Sequence, residues 1–305
     1  MKLIDQSVEL ITEPDILKQI EIAGRTSYKS ENKITEDSAK KFVDMLKRNN
    51  HGAALEFGTI YLKVPDGLNN EGLQDILFNP HVKAKYNPED DCMYVTTNYR
   101  VIWENHYEYL LDYLCVPTDL HHKRYFFKII TNRGVSHELV RHRTMSFLQE
   151  SSRYCNYSKD KFDNNVTIIR PSWLSEIPLG NAYYQDGIGV RTGASLFPED
   201  EASLGYIRDF NNKQCYTWLN QMLSSENAYF ELLKLGQKPE QARGVLPTDL
   251  KTEICMCGFL DDWKHFLSLR SPKYSDKGKH AHPQMREVAD MIYDKLNILS
   301  TIRDM

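Results

Sequence analysis

Apolar residues early in the chain recur at helical spacing, whereas later ones fall in short β-branched runs. One set occupies positions i, i+3, i+4 and i+7, namely Ala39, Phe42, Val43 and Leu46. This spacing predicts a helix with Thr35 as its N-cap and its end near Asn49. Runs rich in β-branched and aromatic residues predict strands at 57–64, closed by Pro65, and at 93–103 and 124–131.

The second half of the chain is predicted to be mainly helical. Ser136 to Arg143 is expected to be a helix with Leu139 and Val140 facing inward, and Gly236 suits the end of a long helix that starts near Glu201. The remaining predicted elements are a short helix at Pro239, a strand at 251–257, and helices at 261–269 and 283–299. Two stretches without a clear period, 65–91 and 171–198, are predicted to be insertions, the second a long surface loop.

These elements predict a single α+β domain over residues 1–305, with a mixed or antiparallel sheet packed by long helices. No internal repeat and no linker interrupts the order of elements. The chain has 305 residues, 41% of them hydrophobic, and a net charge of −4. This composition is typical of a soluble globular protein and excludes a small disulfide-framed or intrinsically disordered one.

Charge and hydropathy limit the classes of partner that this chain is expected to bind. No apolar run approaches the roughly 20 residues of a membrane-spanning helix, and the first residues lack the pattern of a secretory leader. We therefore expect a cytoplasmic protein without a membrane partner. The mild acidity argues against a general nucleic-acid-binding role but is compatible with a local basic pocket for a nucleotide.

Metal and disulfide chemistry are not indicated. The six cysteines are scattered, and no second Cys/His group completes a four-ligand set with Cys255 and Cys257, so free thiols are expected. His137 and His142 are five residues apart, whereas a zinc-binding helix needs a spacing of four. Glycine-rich dinucleotide, P-loop and nucleophile-elbow motifs do not occur.

The densest polar segment runs from Arg141 to Tyr154. Guanidinium groups bind oxyanions through paired N–H donors, and the hydroxyls of Ser151 and Ser152 beside Arg153 could complete a phosphate site. The alternative is a solvated helix end whose basic residues stabilise the helix dipole. Further along, Arg243 and Arg270 lie among apolar residues, where either an anion or an internal salt bridge would balance their charge.

The spacing Arg141-His142-Arg143, seven residues, then Ser151 resembles the signature of the flavin-dependent thymidylate synthases. The similarity continues through Arg153-Tyr154. Four further stretches occur in the family's order: 24–28, 51–56, 242–247 and 265–270. Five ordered landmarks make a chance match to a short motif improbable.

The resemblance implies a homotetramer in which several chains build each active site. It also implies bound FAD, with NADPH and 5,10-methylenetetrahydrofolate as co-substrates, and conversion of dUMP to dTMP. Arg270 matches the arginine that polarises the uracil ring and favours loss of its N3 proton, and is the implied catalytic residue. The implied dUMP-binding residues are Glu138, Leu139, Val140, Arg141, Gln149, Glu150, Ser151, Ser152, Arg153, Arg243 and Arg270. The implied FAD-binding residues are Ser27, His51, Ala53, Glu56, Arg141, His142, Arg143, Phe259, Asp261 and His265. No metal is implied.

The chain departs from the family at several of these positions. Relatives commonly have Asn-Leu-Arg where this chain has Phe259-Leu260-Asp261, which replaces an amide and a cation by an aromatic ring and an acid. Glu138 stands where many relatives have Gln, and Ala53 where many have a hydroxyl residue. These changes are compatible with altered flavin contacts or a different pyrimidine substrate.

Three other functions are compatible with parts of this sequence. A cysteine-dependent thymidylate synthase carries its nucleophile in a Pro-Cys context, which this chain lacks. A non-catalytic nucleotide- or RNA-binding protein would use the basic segment around Arg141 without holding a flavin. A relative that methylates or hydroxymethylates another pyrimidine nucleotide stays open, because the sequence does not distinguish the two substrates.

Overall fold

The computed structural model describes residues 1–65, 75–153, 155–159, 162, 164–185, 189–193, 205–207 and 213–298. Its strands are β1 (Lys2–Ile4), β2 (Ser7–Ile11), β3 (Thr59–Pro65), β4 (Lys83–Asn87), β5 (Cys92–Asn98), β6 (Arg124–Asn132), β7 (Ser146–Gln149), β8 (Thr167–Ile169), β9 (Gly180–Gln185), β10 (Gly189–Gly193), β11 (Gly205–Ile207) and β12 (Lys251–Phe259). Its α-helices are α1 (Ile16–Tyr28), α2 (Ser38–Arg48), α3 (Gly52–Leu55), α4 (Tyr99–Glu104), α5 (Arg133–Leu139), α6 (Lys213–Lys234), α7 (Pro239–Ala242), α8 (Leu260–Arg270) and α9 (Pro283–Ile298).

A four-stranded antiparallel sheet with the order β2-β6-β12-β7 forms the centre of the fold. Strand β12 pairs with β6 along its whole length and with β7 from Ile254 to Cys257. Alternate residues of β12 point to opposite faces of the sheet. Ile254 and Met256 pack in a core with α8 and α9, whereas Cys255 and Cys257 pack with Ala23 of α1. Burial on both faces explains the nearly continuous apolar run of this strand.

Two smaller sheets flank this centre. One is antiparallel with the order β3-β5-β4, and the other has the order β11-β10-β9-β1-β8. In the second sheet β1 pairs parallel to β8 and antiparallel to β9. The predicted α+β class with mixed or antiparallel pairing is therefore confirmed, although the strands form three sheets rather than one. Among the described residues, no helix is both long and apolar enough to cross a bilayer.

Many predicted elements are present. Strands β3, β6 and β12 and helices α2, α7, α8 and α9 lie where the pattern predicts them, and the four apolar positions of α2 are buried. Gly236 ends α6 with a φ of 91°, in the left-handed region that favours glycine, and its N–H donates to the carbonyl of Leu233. The six cysteines are all free thiols, as expected.

Side-chain capping overrides the pattern at two helix starts, and a third start is displaced without it. Asp37, not Thr35, is the N-cap of α2, because the helix begins two residues later than predicted, and Asp37 makes no side-chain capping hydrogen bond. The predicted strand 93–103 ends at Asn98, whose side chain accepts a hydrogen bond from the N–H of Val101 and starts α4. Asn132 does the same for Val135, so α5 begins at Arg133 and ends before Arg141.

The remaining differences concern the two stretches without a clear period and the long helix. The 65–91 stretch contributes β4, which pairs with β5. The predicted loop 171–198 contains β9 and β10 as neighbouring antiparallel strands, and its residues 186–188 and 194–198 lie outside the described residues. Helix α6 begins at Lys213 instead of near Glu201, and β11 occupies 205–207. Val140, predicted to face inward, is exposed, whereas Leu139 is buried.

One close backbone approach fixes the chain just beyond α8. Gly278 packs so tightly that a Cβ atom there would lie 2.3 Å from the carbonyl carbon of Ser271. Only glycine fits without displacement of the main chain. The contact holds in place the residue that directly follows Arg270.

Candidate functional site

Helix α5 connects two groups of the candidate residues. Arg133 lies at its first position and Glu138 near its end. At about 100° per residue, these two side chains are about 140° apart around the helix axis, so they serve different sides of the helix. Asn132 anchors the helix start, since its amide nitrogen donates to Asp249 at 3.0 Å and to Gln284 at 3.1 Å.

The first group is a pair of arginines that share one hydroxyl. Arg243 donates to the Oγ of Ser152 at 2.6 Å and Arg133 donates to the same atom at 3.1 Å. Arg133 also donates to the carbonyl of Glu150 and the hydroxyl of Thr252, both at 3.3 Å. Neither guanidinium group is ion-paired with a carboxylate of the described residues. Two cations that meet only neutral acceptors form a ready site for an oxyanion.

Neighbouring residues of the 149–153 segment are held by the sheet and by α1. The amide of Gln149 donates to the hydroxyls of Ser136 at 2.8 Å and Thr252 at 3.0 Å. The N–H of Ser151 donates to the carbonyl of Ser27 at 3.1 Å, which brings a residue of the implied flavin set beside the implied nucleotide set. Arg153 is exposed, and Tyr154 lies outside the described residues.

Glu150 is the exception in this segment, because its carboxylate points into the protein. Its side chain is 3% exposed, and Lys251 lies 2.9 Å from Oε2. The N–H of Glu253 donates to Oε2 at 3.2 Å, and the thiol of Cys155 donates to Oε1 at 3.4 Å. Both carboxylate oxygens therefore have partners within the chain.

The second group surrounds Arg270 at the end of α8. Its Nη1 donates to Glu138 at 3.0 Å and its Nε donates to Nε2 of His142 at 3.4 Å. Its Nη2 makes no hydrogen bond to a described residue. An internal ion pair, one of the two expected ways to balance this charge, is thus present. It fixes two nitrogens of the guanidinium group and leaves the third available.

His142 is neutral in this arrangement. Burial, reinforced by the positive charge of Arg270 and by His265, lowers the pKa of His142 from 6.5 to about 4. Its ring packs edge-on against Phe266 at 4.9 Å between centroids and lies 6.5 Å from His265. A neutral ring accepts the hydrogen bond from Arg270, which a protonated ring cannot do.

Arg141 and Arg143 flank His142 in the turn that follows α5. Both side chains are exposed, and neither makes a hydrogen bond or ion pair with a described residue. The alternative prediction, basic residues at a solvated helix end, therefore describes where these two arginines lie, exposed and just beyond the end of α5. Two unpaired guanidinium groups beside a neutral imidazole also suit a ligand with several phosphate charges.

The implied flavin residues near α3 form a separate cluster. His51 is the N-cap of α3, and its Nδ1 is 2.7 Å from the hydroxyl of Tyr28. Ala53 is exposed, and Glu56 pairs with Arg100 at 2.7 Å. Tyr28, which contacts His51, directly follows Ser27, whose carbonyl accepts a hydrogen bond from Ser151. Helix α1 therefore links this cluster to the first group.

Phe259 ends β12 and Asp261 lies in the first turn of α8, and both side chains have partners within the chain. Phe259 is 7% exposed, and its ring is contacted by the ammonium of Lys83 at 4.9 Å from the centroid. Lys83 also pairs with Asp261 at 2.7 Å, which lowers the pKa of that carboxyl. Lys83 belongs to β4, so the 65–91 stretch supplies a cation at this position.

Sequence reasoning missed Arg133 and Lys251, both of which contact the candidate site. Arg133 lies between a capping Asn and a Gly, directly after the predicted strand 124–131, and no motif marks it as a site residue. Lys251 is the first residue of β12 and lies two residues before Glu253, so both side chains are on the same face of the strand. A charged pair at i and i+2 on an otherwise apolar strand was the signal for a buried ion pair.

Comparison with known proteins places the chain in a family. The family model for the thymidylate synthase complementing protein matches residues 88–298, more than half of the chain. The chain belongs to this family. The matched range contains both residue groups around α5, and the resemblance to flavin-dependent thymidylate synthases is confirmed.

Curated relatives of this family member are named flavin-dependent thymidylate synthases. The one from Corynebacterium glutamicum is 27% identical over 55% of this chain and 54% of its own, and the one from Thermococcus kodakarensis is 29% identical over 52% and 47%. The chain spans about half the length of the curated relatives it matches. A solved UMP/dUMP methylase from Streptomyces cacaoi aligns over 98% of this chain and 93% of its own with 18% identity and a TM-score of 0.44.

The neutral state of His142 predicts a pH-dependent stability. Since the pKa of His142 lies near 6.5 in the unfolded chain and near 4 in the folded one, the unfolded state takes up the proton first as pH falls. Stability from this residue is present above about pH 6.5 and is lost as pH falls towards about 4. The Tm of the wild type should therefore fall more between about pH 7 and about pH 4.5 than that of His142→Gln.

The control is His137→Gln, which changes an exposed histidine on α5, five residues before His142. Its Tm should follow the wild type across the same range, measured by calorimetry at each pH. Parallel curves for all three proteins would show that His142 is not held neutral by its surroundings.

Proposed function

We propose that this chain is a flavin-dependent thymidylate synthase, a methyltransferase that converts dUMP to dTMP. FAD is the proposed cofactor, with NADPH and 5,10-methylenetetrahydrofolate as co-substrates. The proposal rests on family membership and on the names of the relatives, and on the fit of the two residue groups to a nucleotide.

The observation that carries the proposal is the way in which Arg270 is held. Glu138 and His142 fix two of its nitrogens, and Nη2 remains without a partner among the described residues. A fixed donor contributes most where negative charge develops during the reaction, because it need not reorganise. Nη2 then meets a carbonyl oxygen of the uracil ring and favours loss of the N3 proton.

The other group binds the phosphate of the nucleotide in this proposal. Arg133, Arg243 and the hydroxyl of Ser152 converge, and the two guanidinium groups lack carboxylate partners among the described residues. Ser151 and Arg153 extend the same surface. These contacts are made about equally in the ground and transition states, so they serve affinity more than rate.

The residues fit a flavin in one region and not in another. The exposed, unpaired Arg141 and Arg143 beside His142 suit the phosphates of a dinucleotide, and Ser27, His51, Ala53, Glu56 and His265 join the proposed set. Phe259 is buried under Lys83, and Asp261, although 62% exposed, is paired with that lysine, so a flavin would have to compete with Lys83 for both side chains. When bound, the flavin supplies the hydride chemistry.

The same geometry favours a shared active site. The proposed base-contacting and phosphate-contacting residues lie on different sides of α5, about 140° apart. One nucleotide would meet both groups most directly if a second copy supplied one of them. We propose the homotetramer that the resemblance implies.

The function is tested by purifying the protein and recording its flavin spectrum, followed by NADPH oxidation in the presence of methylenetetrahydrofolate. The expected result is a yellow protein whose NADPH oxidation and dTMP formation both require dUMP. UMP and dCMP in the same assay test the alternative of another pyrimidine nucleotide. A colourless protein that binds nucleotide without turnover would support the non-catalytic alternative and contradict the proposal.

Arg243 and Arg270 are expected to fail in different ways. Arg243→Ala should mainly raise the KM for dUMP, because it removes an interaction present in the ground state. Arg270→Lys keeps a positive charge for Glu138 but loses the planar fork, and kcat should fall on the order of 100-fold. Steady-state kinetics with dUMP as the varied substrate measure both effects.

Flavin content and Tm decide whether Arg270 is only structural. A structural arginine would lose flavin and stability together with rate, whereas Arg270→Lys is expected to retain both. If this variant binds flavin and turns over normally, the proposed contact with the uracil ring is wrong.

The assembly is tested separately by light scattering of the flavin-loaded protein. We expect a mass of about four times 35.6 kDa. Since a shared site binds only the assembled state, added flavin should stabilise the oligomer by mass action. An active, flavin-loaded monomer would contradict the shared site.

A further inference from the structure

A cluster of six charged side chains lies beside the phosphate group of the candidate site without forming part of it. Glu253 stands at its centre, with Lys29 and Lys251 each 2.5 Å from Oε1 and Lys128 3.0 Å from Oε2. Glu31 and Glu150 complete the set. The exposed fractions of the three lysine side chains are only 12% to 21%.

Placing six charged side chains in a largely buried cluster costs free energy of hydration, which indicates that the cluster serves a function. Buried charges lose hydration and are retained only when pairing restores it. Lys29 also adopts a φ of 51°, a left-handed conformation that a non-glycine residue adopts at a cost. Glycine at this helix end would remove the strain but would also remove the ammonium group that contacts Glu253.

Lys251 differs from Lys128 because its ammonium also contacts Glu150. Its Nζ bridges Oε2 of Glu150 at 2.9 Å and Oε1 of Glu253. The main chains of Glu150 and Glu253 are joined as well, since the N–H of Glu150 donates to the carbonyl of Glu253 at 2.8 Å. Lys128 pairs with Glu253 and Glu31 only.

A fixed Glu150 also fixes the two serines that follow it in the chain. The carbonyl of Glu150 accepts from Arg133, Ser151 donates to Ser27, and Ser152 accepts from both arginines. If Glu150 turned away, this segment would lose its register against α1 and β12. The hydroxyl on which the two arginines meet would move with it.

We propose that Lys251 is a positioning residue for nucleotide binding, which acts by holding Glu150 and thereby places Ser151 and Ser152 against Arg133 and Arg243. Lys251 does not touch the nucleotide. This inference deepens the proposed function and rests on it. Glu253 and Lys29 hold Lys251 in turn.

Lys251→Met and Lys128→Met form a matched pair of variants. Each removes one half-buried ammonium from Glu253, but only the first breaks the contact to Glu150. We expect Lys251→Met to raise the dissociation constant and KM for dUMP at least about tenfold with little change in kcat. Lys128→Met should stay within about twofold of the wild type while losing a similar amount of stability.

A second readout needs no turnover. Hydrogen exchange at the amides of Glu150 and Ser151 should be faster in Lys251→Met and unchanged in Lys128→Met. Lys251→Arg keeps the charge and reach of the side chain and should restore dUMP affinity to within about threefold of the wild type. This variant also tests the proposal if Lys251→Met does not fold.

The outcomes separate the two proposals. If the wild type binds no dUMP by calorimetry, the proposed function fails. If the wild type binds dUMP but the two methionine variants lose affinity equally, or Lys251→Met loses only stability, the positioning role of Lys251 is overturned. Failure of Lys251→Arg to restore affinity in a folded protein would overturn it as well.

Discussion

The site depends on two positive charges that the described chain does not neutralise with a carboxylate. Arg133 and Arg243 donate to the same serine hydroxyl, and the other acceptors of Arg133 are a carbonyl and a second hydroxyl. Neutral acceptors satisfy the N–H groups but leave the charges uncompensated. A bound anion would supply the missing charge, so the folded chain is prepared for a phosphate.

The central sheet makes this arrangement possible. Strand β12 is buried on both faces, which gives a rigid support whose first residues, Lys251 and Glu253, carry charge to the edge of the core. Helix α5 leaves the neighbouring strand β6 through an Asn cap and presents Arg133 on one side and Glu138 on another. The paired strands β6 and β12 and the Asn132 cap thus determine where the arginine pair and the residues around Arg270 lie.

Much of the site could be predicted from the sequence because short motifs fix local spacing. The resemblance points to Ser152, Arg243 and Arg270, and the structure joins Arg243 to Ser152 and Arg270 to Glu138, while the roles implied for these residues stay predictions. Arg133 and Lys251 could not be assigned, since their roles arise from contacts with residues about 20 and 100 positions away. Asn98 and Asn132 likewise changed the element boundaries through side-chain caps that a hydrophobic period does not record.

The partners of Phe259 and Asp261 show the same limit. The sequence identifies them as departures from the family, but only the fold reveals that Lys83 of β4 contacts both. The residues at these two positions and strand β4 therefore have to be interpreted together. Tertiary contacts decide which charges of a motif remain available to a ligand.

The most direct measurement compares the affinities of dUMP and deoxyuridine for the flavin-loaded wild type by calorimetry. The two ligands differ only in the phosphate that Arg133 and Arg243 are proposed to bind. Two charge-assisted hydrogen bonds at about 1.5–3 kcal/mol each predict that dUMP binds at least about 100-fold more tightly. Equal affinities for the two ligands would contradict the account, because the paired arginines would then have no role in binding the nucleotide.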